Sequence, residues 1–258
     1  MLNKFGLQLY SIREHMTDEQ TVRESFRRIK AMGYDEAQTA GCQIPYADFG
    51  RIAREEGITI VGTHDNFDNM MADPKLAIEN HKLLGTTNMG IGGRFFGAYN
   101  KDDVSRFIED ANKLASIIYE EGMRFTYHHH SHEFIKFDDG VSIMDMLIEG
   151  LDPKKTAFVL DTYWLQHAGA DVNAWIKKLS GRVDILHLKD MGMMWDENRK
   201  AIPYITEIGN GNINFEGAIK TALECGVKHF CVEQDTCPGD SYDSVKASAD
   251  YIIKNFKN

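Results

Sequence analysis

One pattern of hydrophobic and polar positions recurs along the chain. An amphipathic helical stretch is followed by a glycine and then by a short apolar run that ends in polar residues; the glycines are Gly33, Gly57, Gly85, Gly122 and Gly226. A glycine after a helix adopts the left-handed conformation at little cost, so it ends the helix and turns the chain into a strand. Helices that alternate with short strands indicate parallel pairing through right-handed crossovers.

Eight apolar runs have the length and residue types of buried strands. They are Phe5–Tyr10, Tyr34–Gln38, Thr59–His64, Asn88–Gly92, Phe125–His130, Ala157–Asp161, Val183–Lys189 and His229–Gln234. Eight strand–helix units in about 250 residues predict an α/β fold of the (β/α)8 TIM barrel type. We expect a single domain over residues 1–258. A doubly wound sheet is the alternative, but no GxGxxG motif follows the first strand.

Composition limits the partners and the compartment. The chain has 39 acidic and 29 basic residues and a formal charge of −10, which disfavours a nucleic-acid partner because such partners usually need a basic face. We see no signal peptide, and no apolar run approaches the ~20 residues that span a bilayer. The four cysteines lack CxxC spacing and indicate reduced thiols. We therefore expect a cytoplasmic protein.

The stretch FTYHHHSHEF, residues 125–134, contains four of the ten histidines. It begins in the fifth predicted strand, where alternate side chains point to opposite faces. His128 and His130 should therefore face the barrel mouth, and His129 should point away from it. Because TIM-barrel chemistry lies at the carboxyl ends of the strands, His128 and His130 are candidate substrate-binding residues.

Three later strands end in side chains suited to metal binding. Asp161, His187 and Glu233 each follow an apolar run. An isolated carboxylate there would carry a large desolvation cost unless it were paired or bound to a cation. With Glu133 these residues would form a mixed carboxylate–imidazole site. Such ligands suit a divalent ion, manganese first, with magnesium, cobalt or zinc as alternatives.

Five motifs together carry a family resemblance. They are YHHHSHEF, LDTYW (Leu160 to Trp164), HLKD (His187 to Asp190), EIGNGNINF (Glu207 to Phe215) and VEQD (Val232 to Asp235). With these motifs in this order, the chain resembles the sugar phosphate isomerase/epimerase families, which have a xylose-isomerase-like barrel. The resemblance covers nearly the whole chain.

The resemblance implies four metal ligands, Glu, Asp, His and Glu, from the ends of strands five to eight. Asp161, His187 and Glu233 match the last three. Epimerase-like members have the first glutamate inside strand five, where this chain has histidine. Glu133 is the nearby carboxylate and is our candidate for this ligand, with His128 or His130 as a replacement or supplement.

The resemblance also implies chemistry through an enediolate, because a divalent ion that polarises a carbonyl acidifies the adjacent C–H bond. Glu133 and Glu233 are the candidate proton carriers, assisted by Lys189 and His130. An exposed lysine paired with Asp190 is the alternative for Lys189. Candidate sugar contacts are Gln8, His64, Trp164 and Tyr10, with simple packing as the alternative for Trp164.

The predicted function is a divalent-metal-dependent isomerase, epimerase or lyase that acts on a sugar, keto-sugar or inosose. A dehydratase or eliminase of 3-keto-glycosides and a catalytically silent sugar-binding barrel are alternatives. A family-two apurinic endonuclease shares the barrel, but the acidic charge argues against it. We predict a long loop over Asp190 to Ile205, either a lid or a contact in a homodimer.

Overall fold

The computed structural model describes residues 1–96 and 100–257. Its strands are β1 (Gly6–Gln8), β2 (Glu36–Thr39), β3 (Thr59–Thr63), β4 (Asn88–Ile91), β5 (Arg124–His128), β6 (Thr156–Asp161), β7 (Val183–Leu188), β8 (Asp190–Trp195), β9 (Ala201–Thr206) and β10 (His229–Val232).

The helices that cover the sheet are α1 (Glu19–Ala31), α2 (Tyr46–Glu55), α3 (Phe67–Ala72), α4 (Pro74–Leu84), α5 (Lys101–Tyr119), α6 (Ile143–Gly150), α7 (Thr162–His167), α8 (Val172–Lys178), α9 (Phe215–Glu224) and α10 (Ser241–Phe256). Two 3-10 helices, Leu9–His15 and His132–Phe134, follow β1 and β5.

Eight of the strands form one parallel sheet in the order β3-β2-β1-β10-β7-β6-β5-β4. The predicted TIM barrel is confirmed, and each predicted strand overlaps an observed one. The five helix-ending glycines all have positive φ angles, between 72° and 100°. The left-handed turns predicted from the sequence are therefore present.

The barrel is nearly closed, because hydrogen bonds from side chains and backbone join the two outer strands of the sheet. Asn88 donates from Nδ2 to the Val61 carbonyl oxygen at 2.8 Å. The Gly90 N–H donates to Thr63 Oγ1 at 3.1 Å, and the Gly90 carbonyl accepts from the Asp65 N–H at 2.8 Å. These bonds satisfy backbone groups that the β3–β4 edge would otherwise leave unpaired.

The apolar core has two parts. A small cluster inside the barrel consists of Val61, Val159, Ile185 and Cys231. The larger cluster lies between the sheet and the helices, as expected for a sheet with both faces covered. In the described part of the chain, we find no helix with the length and apolar character required to cross a membrane.

The prediction of a long loop over Asp190 to Ile205 is wrong, because this segment forms an antiparallel hairpin of β8 and β9. The side chain of Asp196 accepts hydrogen bonds from the backbone N–H groups of Asn198 and Lys200, which folds the turn. Arg199 takes a left-handed φ of 58° there. The large apolar side chains Met193, Met194 and Trp195 are exposed on this hairpin.

We expect Gly90→Ala to destabilise the barrel at the β3–β4 edge. A Cβ at this position would lie 2.2 Å from Thr126 Oγ1 and 2.6 Å from the Thr63 carbonyl oxygen. Overpacking of this kind costs about 1–3 kcal/mol. Urea unfolding measures the loss, and Gly239→Ala is the control because its Cβ would meet nothing within 4 Å. Equal stability of the two variants would contradict the edge contacts described here.

Candidate metal centre and active site

Four side chains suited to metal binding converge at the carboxyl ends of adjacent strands. His128 ends β5, Asp161 ends β6, His187 lies near the end of β7, and Glu233 directly follows β10. The sheet register places Asp161 opposite His187. All four side chains are buried, and their ligand atoms lie within 4.8 Å of one another.

The side chains of this group contact one another closely. His187 Nδ1 lies 2.9 Å from Glu233 Oε2 and 3.8 Å from Asp161 Oδ2. The same Asp161 oxygen lies 3.5 Å from His128 Nε2. Within the described chain, His128 Nε2 and Asp161 Oδ2 are buried without a hydrogen-bond partner. Leaving such atoms unpaired is costly. Two imidazole nitrogens and two carboxylate oxygens therefore fit a divalent ion chemically.

Neighbouring groups orient these ligands. Asp161 Oδ1 caps α7 by accepting the Trp164 N–H at 3.1 Å, which leaves Oδ2 for the site. His187 Nε2 lies 2.5 Å from Gln38 Oε1, so this nitrogen donates and Nδ1 faces the carboxylates. Burial alone would lower the pKa of His187, but Glu233 and Asp161 raise it to about 9.

Lys189 is buried among three carboxylates, with only 1% of its surface exposed. Its Nζ lies 2.9 Å from Asp235 Oδ1, 3.0 Å from Glu233 Oε2 and 3.3 Å from Asp161 Oδ2. Burial disfavours the ammonium, but these carboxylates raise the pKa of Lys189 above its usual value. Burial would likewise raise the pKa of Glu233, but Lys189 and His187 hold it well below its usual range.

The alternative pairing of Lys189 with Asp190 does not occur. The Asp190 carboxylate instead accepts four backbone N–H groups, from Met191, Gly209, Gly211 and Ile213. These bonds fold the EIGNGNINF segment against the start of β8. Asp190 therefore organises a loop beside the site.

The structure does not bring Glu133 together with Asp161, His187 and Glu233. Glu133 is buried, and its carboxylate accepts from the Tyr127 hydroxyl at 2.8 Å and from the His130 N–H at 2.8 Å. It belongs to a separate group with His130 and His132. His128 takes the strand-five position in the buried cluster. The 3-10 turn after β5 is the physical reason, because it folds Glu133 back onto Tyr127.

The other histidines of the motif lie on the faces expected from strand alternation. His129 is buried away from the mouth, where its Nε2 accepts the Asp161 N–H at 3.2 Å and its ring packs against Phe134. Burial lowers the pKa of His129 to about 3. His130 lies at the mouth, 5.0 Å from the Trp164 ring between centroids.

A cavity of about 440 Å³ opens above the buried cluster. Its lining comprises Tyr10, Ala40, His64, Gly92, His128, His130, Lys189, Glu233 and Asp235. Gln8 lies beneath the lining, with its Nε2 2.9 Å from His64 Nδ1. Burial and the neighbouring rings of His128 and His187 hold the pKa of His64 well below its usual value. Trp164 lies beside the cavity, with its ring 5.1 Å from Lys189 Nζ.

A larger groove of about 780 Å³ lies elsewhere, between α9 and α10. None of the residue groups with metal-binding geometry in the described ranges falls in it. The smaller cavity is therefore the candidate active site.

Sequence reasoning missed two functional candidates. Gln38 ends a predicted strand, and Asp235 ends the VEQD motif. Position at a strand end was the available signal for both. A lone polar residue there is common, however, and only the fold shows that Gln38 reaches His187 and that Asp235 reaches Lys189.

Comparison with known proteins defines the family. The xylose isomerase-like TIM barrel family matches residues 19–254, and the chain belongs to this family. An inosose dehydratase of Clostridium perfringens is 26% identical over 171 residues, which cover 61% of this chain and 56% of the relative. The chain thus spans about half the length of the curated relatives it matches. The family predicted from the motifs is confirmed.

Two solved structures share the fold. A sugar phosphate isomerase/epimerase of Parabacteroides distasonis has a TM-score of 0.81 and 24% identity, with 99% of each chain covered. A xylose isomerase-like TIM barrel protein of Mycobacterium smegmatis, in complex with magnesium, has a TM-score of 0.70 and 15% identity, with 92% of this chain and 88% of that chain covered.

We expect Glu133→Gln to leave metal binding intact. The glutamine amide can accept from the His130 N–H and donate to the Tyr127 oxygen, so both contacts of the carboxylate persist. Asp161→Asn is the control, because it removes a charge from the buried cluster and should weaken Mn²⁺ binding by more than about tenfold. Titration calorimetry with Mn²⁺ measures both affinities. If Glu133→Gln loses binding as Asp161→Asn does, Glu133 is a ligand after all.

Proposed function

We propose that this chain is a divalent-metal-dependent enzyme that removes the proton next to the carbonyl of a sugar or inosose-type ketone and eliminates a β-oxygen. The observation that carries the proposal is the buried group of His128, Asp161, His187 and Glu233 beneath the cavity, in which the buried His128 Nε2 makes no hydrogen bond. These four residues would hold the ion. When bound, a divalent ion polarises the ketone and stabilises negative charge on its oxygen.

The base of the proposed reaction is Glu233, and the acid is Lys189. Glu233 is a carboxylate at neutral pH and accepts the proton from the carbon next to the carbonyl. The electrons of that C–H bond form the new C=C bond as the bond from the β-carbon to its oxygen breaks. Lys189 is an ammonium beside the carboxylates while Glu233 is ionised. When Glu233 takes up the substrate proton, one of these negative charges is lost, which lowers the pKa of Lys189, so that it gives its proton to the departing hydroxyl, which leaves as water.

Elimination is favoured over epimerisation by the kinds of groups present. A two-base epimerase exchanges protons through carboxylates on opposite faces of the substrate. In this cavity the carboxylates of Glu233 and Asp235 both lie within 3.0 Å of Lys189 Nζ and so share one side. β5 and the loop after it contribute His128 and His130 instead of a glutamate. The inosose dehydratase name of the curated relative agrees with a dehydration.

The charge of the cavity favours an unphosphorylated substrate. Lys189 is the one lysine or arginine among the described lining residues, and three carboxylates already surround it. Within the described lining a phosphate group would meet no cation besides Lys189 and would face these negative charges. Arg13, outside the lining, already stacks on the Tyr10 ring and donates to the Asp235 carbonyl oxygen. We therefore propose an uncharged polyol ketone as the substrate class, and the ion as manganese or a similar divalent metal.

The test follows four candidate substrates by NMR in heavy water, in the presence of the protein and Mn²⁺. The candidate substrates are an inosose, a free ketohexose, the phosphate of that ketohexose and a 3-keto-glycoside. We expect deuterium uptake next to the carbonyl and an unsaturated product from an uncharged ketone, and no turnover of the phosphate. Glu233→Gln and Lys189→Met should each lower the rate by at least about 10²–10⁴-fold, because the first removes the base together with a ligand of the ion and the second removes the acid.

Circular dichroism of both variants checks that they are folded. An epimer without unsaturated product would show that proton return, not elimination, is the reaction. If no candidate exchanges its proton with the wild-type protein, the catalytic proposal fails and a silent sugar-binding barrel replaces it.

A further inference from the structure

The orientation of one buried amide is fixed by the backbone. Gln8 Oε1 accepts the Tyr10 N–H at 3.0 Å. A backbone N–H can only donate, so the oxygen of this amide must face Tyr10 and the nitrogen must lie on the other side. That nitrogen, Nε2, lies 2.9 Å from His64 Nδ1 and 3.4 Å from Gln38 Oε1.

This amide then fixes the tautomer of His64. Because Gln8 Nε2 can only donate, His64 Nδ1 must be the acceptor of the 2.9 Å bond. A neutral imidazole carries one ring proton, which therefore lies on Nε2. His64 is an N–H donor at Nε2.

The donor has no partner in the described part of the protein. His64 lines the cavity, and its Nε2 is a buried atom without a hydrogen bond. The ring is held in place by neighbours: its centroid lies 5.0 Å from that of His128 and 5.5 Å from that of His187. A Cβ at Gly92 would lie 3.2 Å from Nδ1, so the backbone also packs closely on the ring.

Gln8 also orients the ring of His187, through Gln38. Gln38 Oε1 accepts from Gln8 Nε2 and from His187 Nε2, so His187 also carries a proton on Nε2. Its Nε2 points away from the carboxylates and its Nδ1 faces them. Through the Gln8–Gln38 pair, Nδ1 of His187 is turned towards the cluster and the Nε2–H of His64 faces the cavity.

We propose that His64 is a catalytic residue that donates its Nε2–H to a substrate oxygen on which negative charge develops, and that Gln8 is the positioning residue that fixes this tautomer. The inference rests on the proposed function, because it requires a ketone substrate in this cavity. A preorganised donor of this kind is worth about 10²–10³-fold in rate.

Two substitutions of His64 separate the donor from the scaffold. Glutamine can place an amide nitrogen near the position of Nε2, whereas asparagine reaches only the position of Nδ1. We expect His64→Asn to lower kcat/KM on the inosose by about 10²–10³-fold and His64→Gln to restore much of the loss. Both variants should bind Mn²⁺ in calorimetry as the wild type does. Wild-type activity of His64→Asn, or loss of Mn²⁺ binding in both variants, would overturn the proposal.

A second measurement does not depend on turnover. NMR of the protein labelled with ¹⁵N-histidine reports which ring nitrogen of His64 carries the proton, with His64→Gln assigning the signal. We expect the Nε2–H tautomer in the wild type and the Nδ1–H tautomer in Gln8→Glu, whose carboxylate can only accept. Finding Nδ1–H in the wild type overturns the inference. If the tautomer is as expected but no ketone is turned over and none shifts the His64 signal, the proposed function and His64's catalytic role fail together.

Discussion

The buried ammonium of Lys189 is the interaction on which the rest of the site depends. Three carboxylates, from Asp161, Glu233 and Asp235, lie within 3.3 Å of its Nζ at the end of the barrel. Charges in such a place are tolerated only when they are paired and hydrogen-bonded. Lys189 keeps Glu233 ionised, and the three carboxylates keep Lys189 itself charged. The acid–base pair of the proposed elimination is therefore also the means by which the buried charges are stabilised.

Local hydrogen bonds decide which atoms remain free for chemistry. Asp161 uses one oxygen to cap α7 and leaves the other in the cluster. Gln8 and Gln38 fix the ring orientation of His187, and Gln8 fixes that of His64. These are ordinary capping and amide contacts. Their consequence is chemical: the cap leaves one Asp161 oxygen in the cluster, and the amides give each imidazole, which can donate or accept at either nitrogen, one fixed arrangement.

The fold was predictable because its signals are local. A glycine that ends a helix and an apolar run that follows it can be identified without knowledge of the rest of the chain. Asp161, His187 and Glu233 were predicted together for a related reason, since strand ends of one parallel sheet meet at one edge. Their functional roles remain predictions, but their proximity in space is observed.

The position of the Glu133 side chain could not be predicted from strand periodicity. Glu133 is the carboxylate nearest to strand five in the sequence, yet a 3-10 turn folds it onto the Tyr127 hydroxyl. Whether a side chain past a strand end turns inward depends on that turn, which strand periodicity does not describe. Gln38 and Asp235 were missed for a similar reason, because their partners His187 and Lys189 are distant in sequence.

The most direct test of the account is anomalous diffraction from a crystal of this protein grown with Mn²⁺ and measured at the manganese edge. We expect one strong peak bounded by His128, Asp161, His187 and Glu233, with Glu133 still bonded to Tyr127. A peak coordinated by Glu133, or no peak at the buried cluster, would contradict the assignment of this cluster as the metal centre.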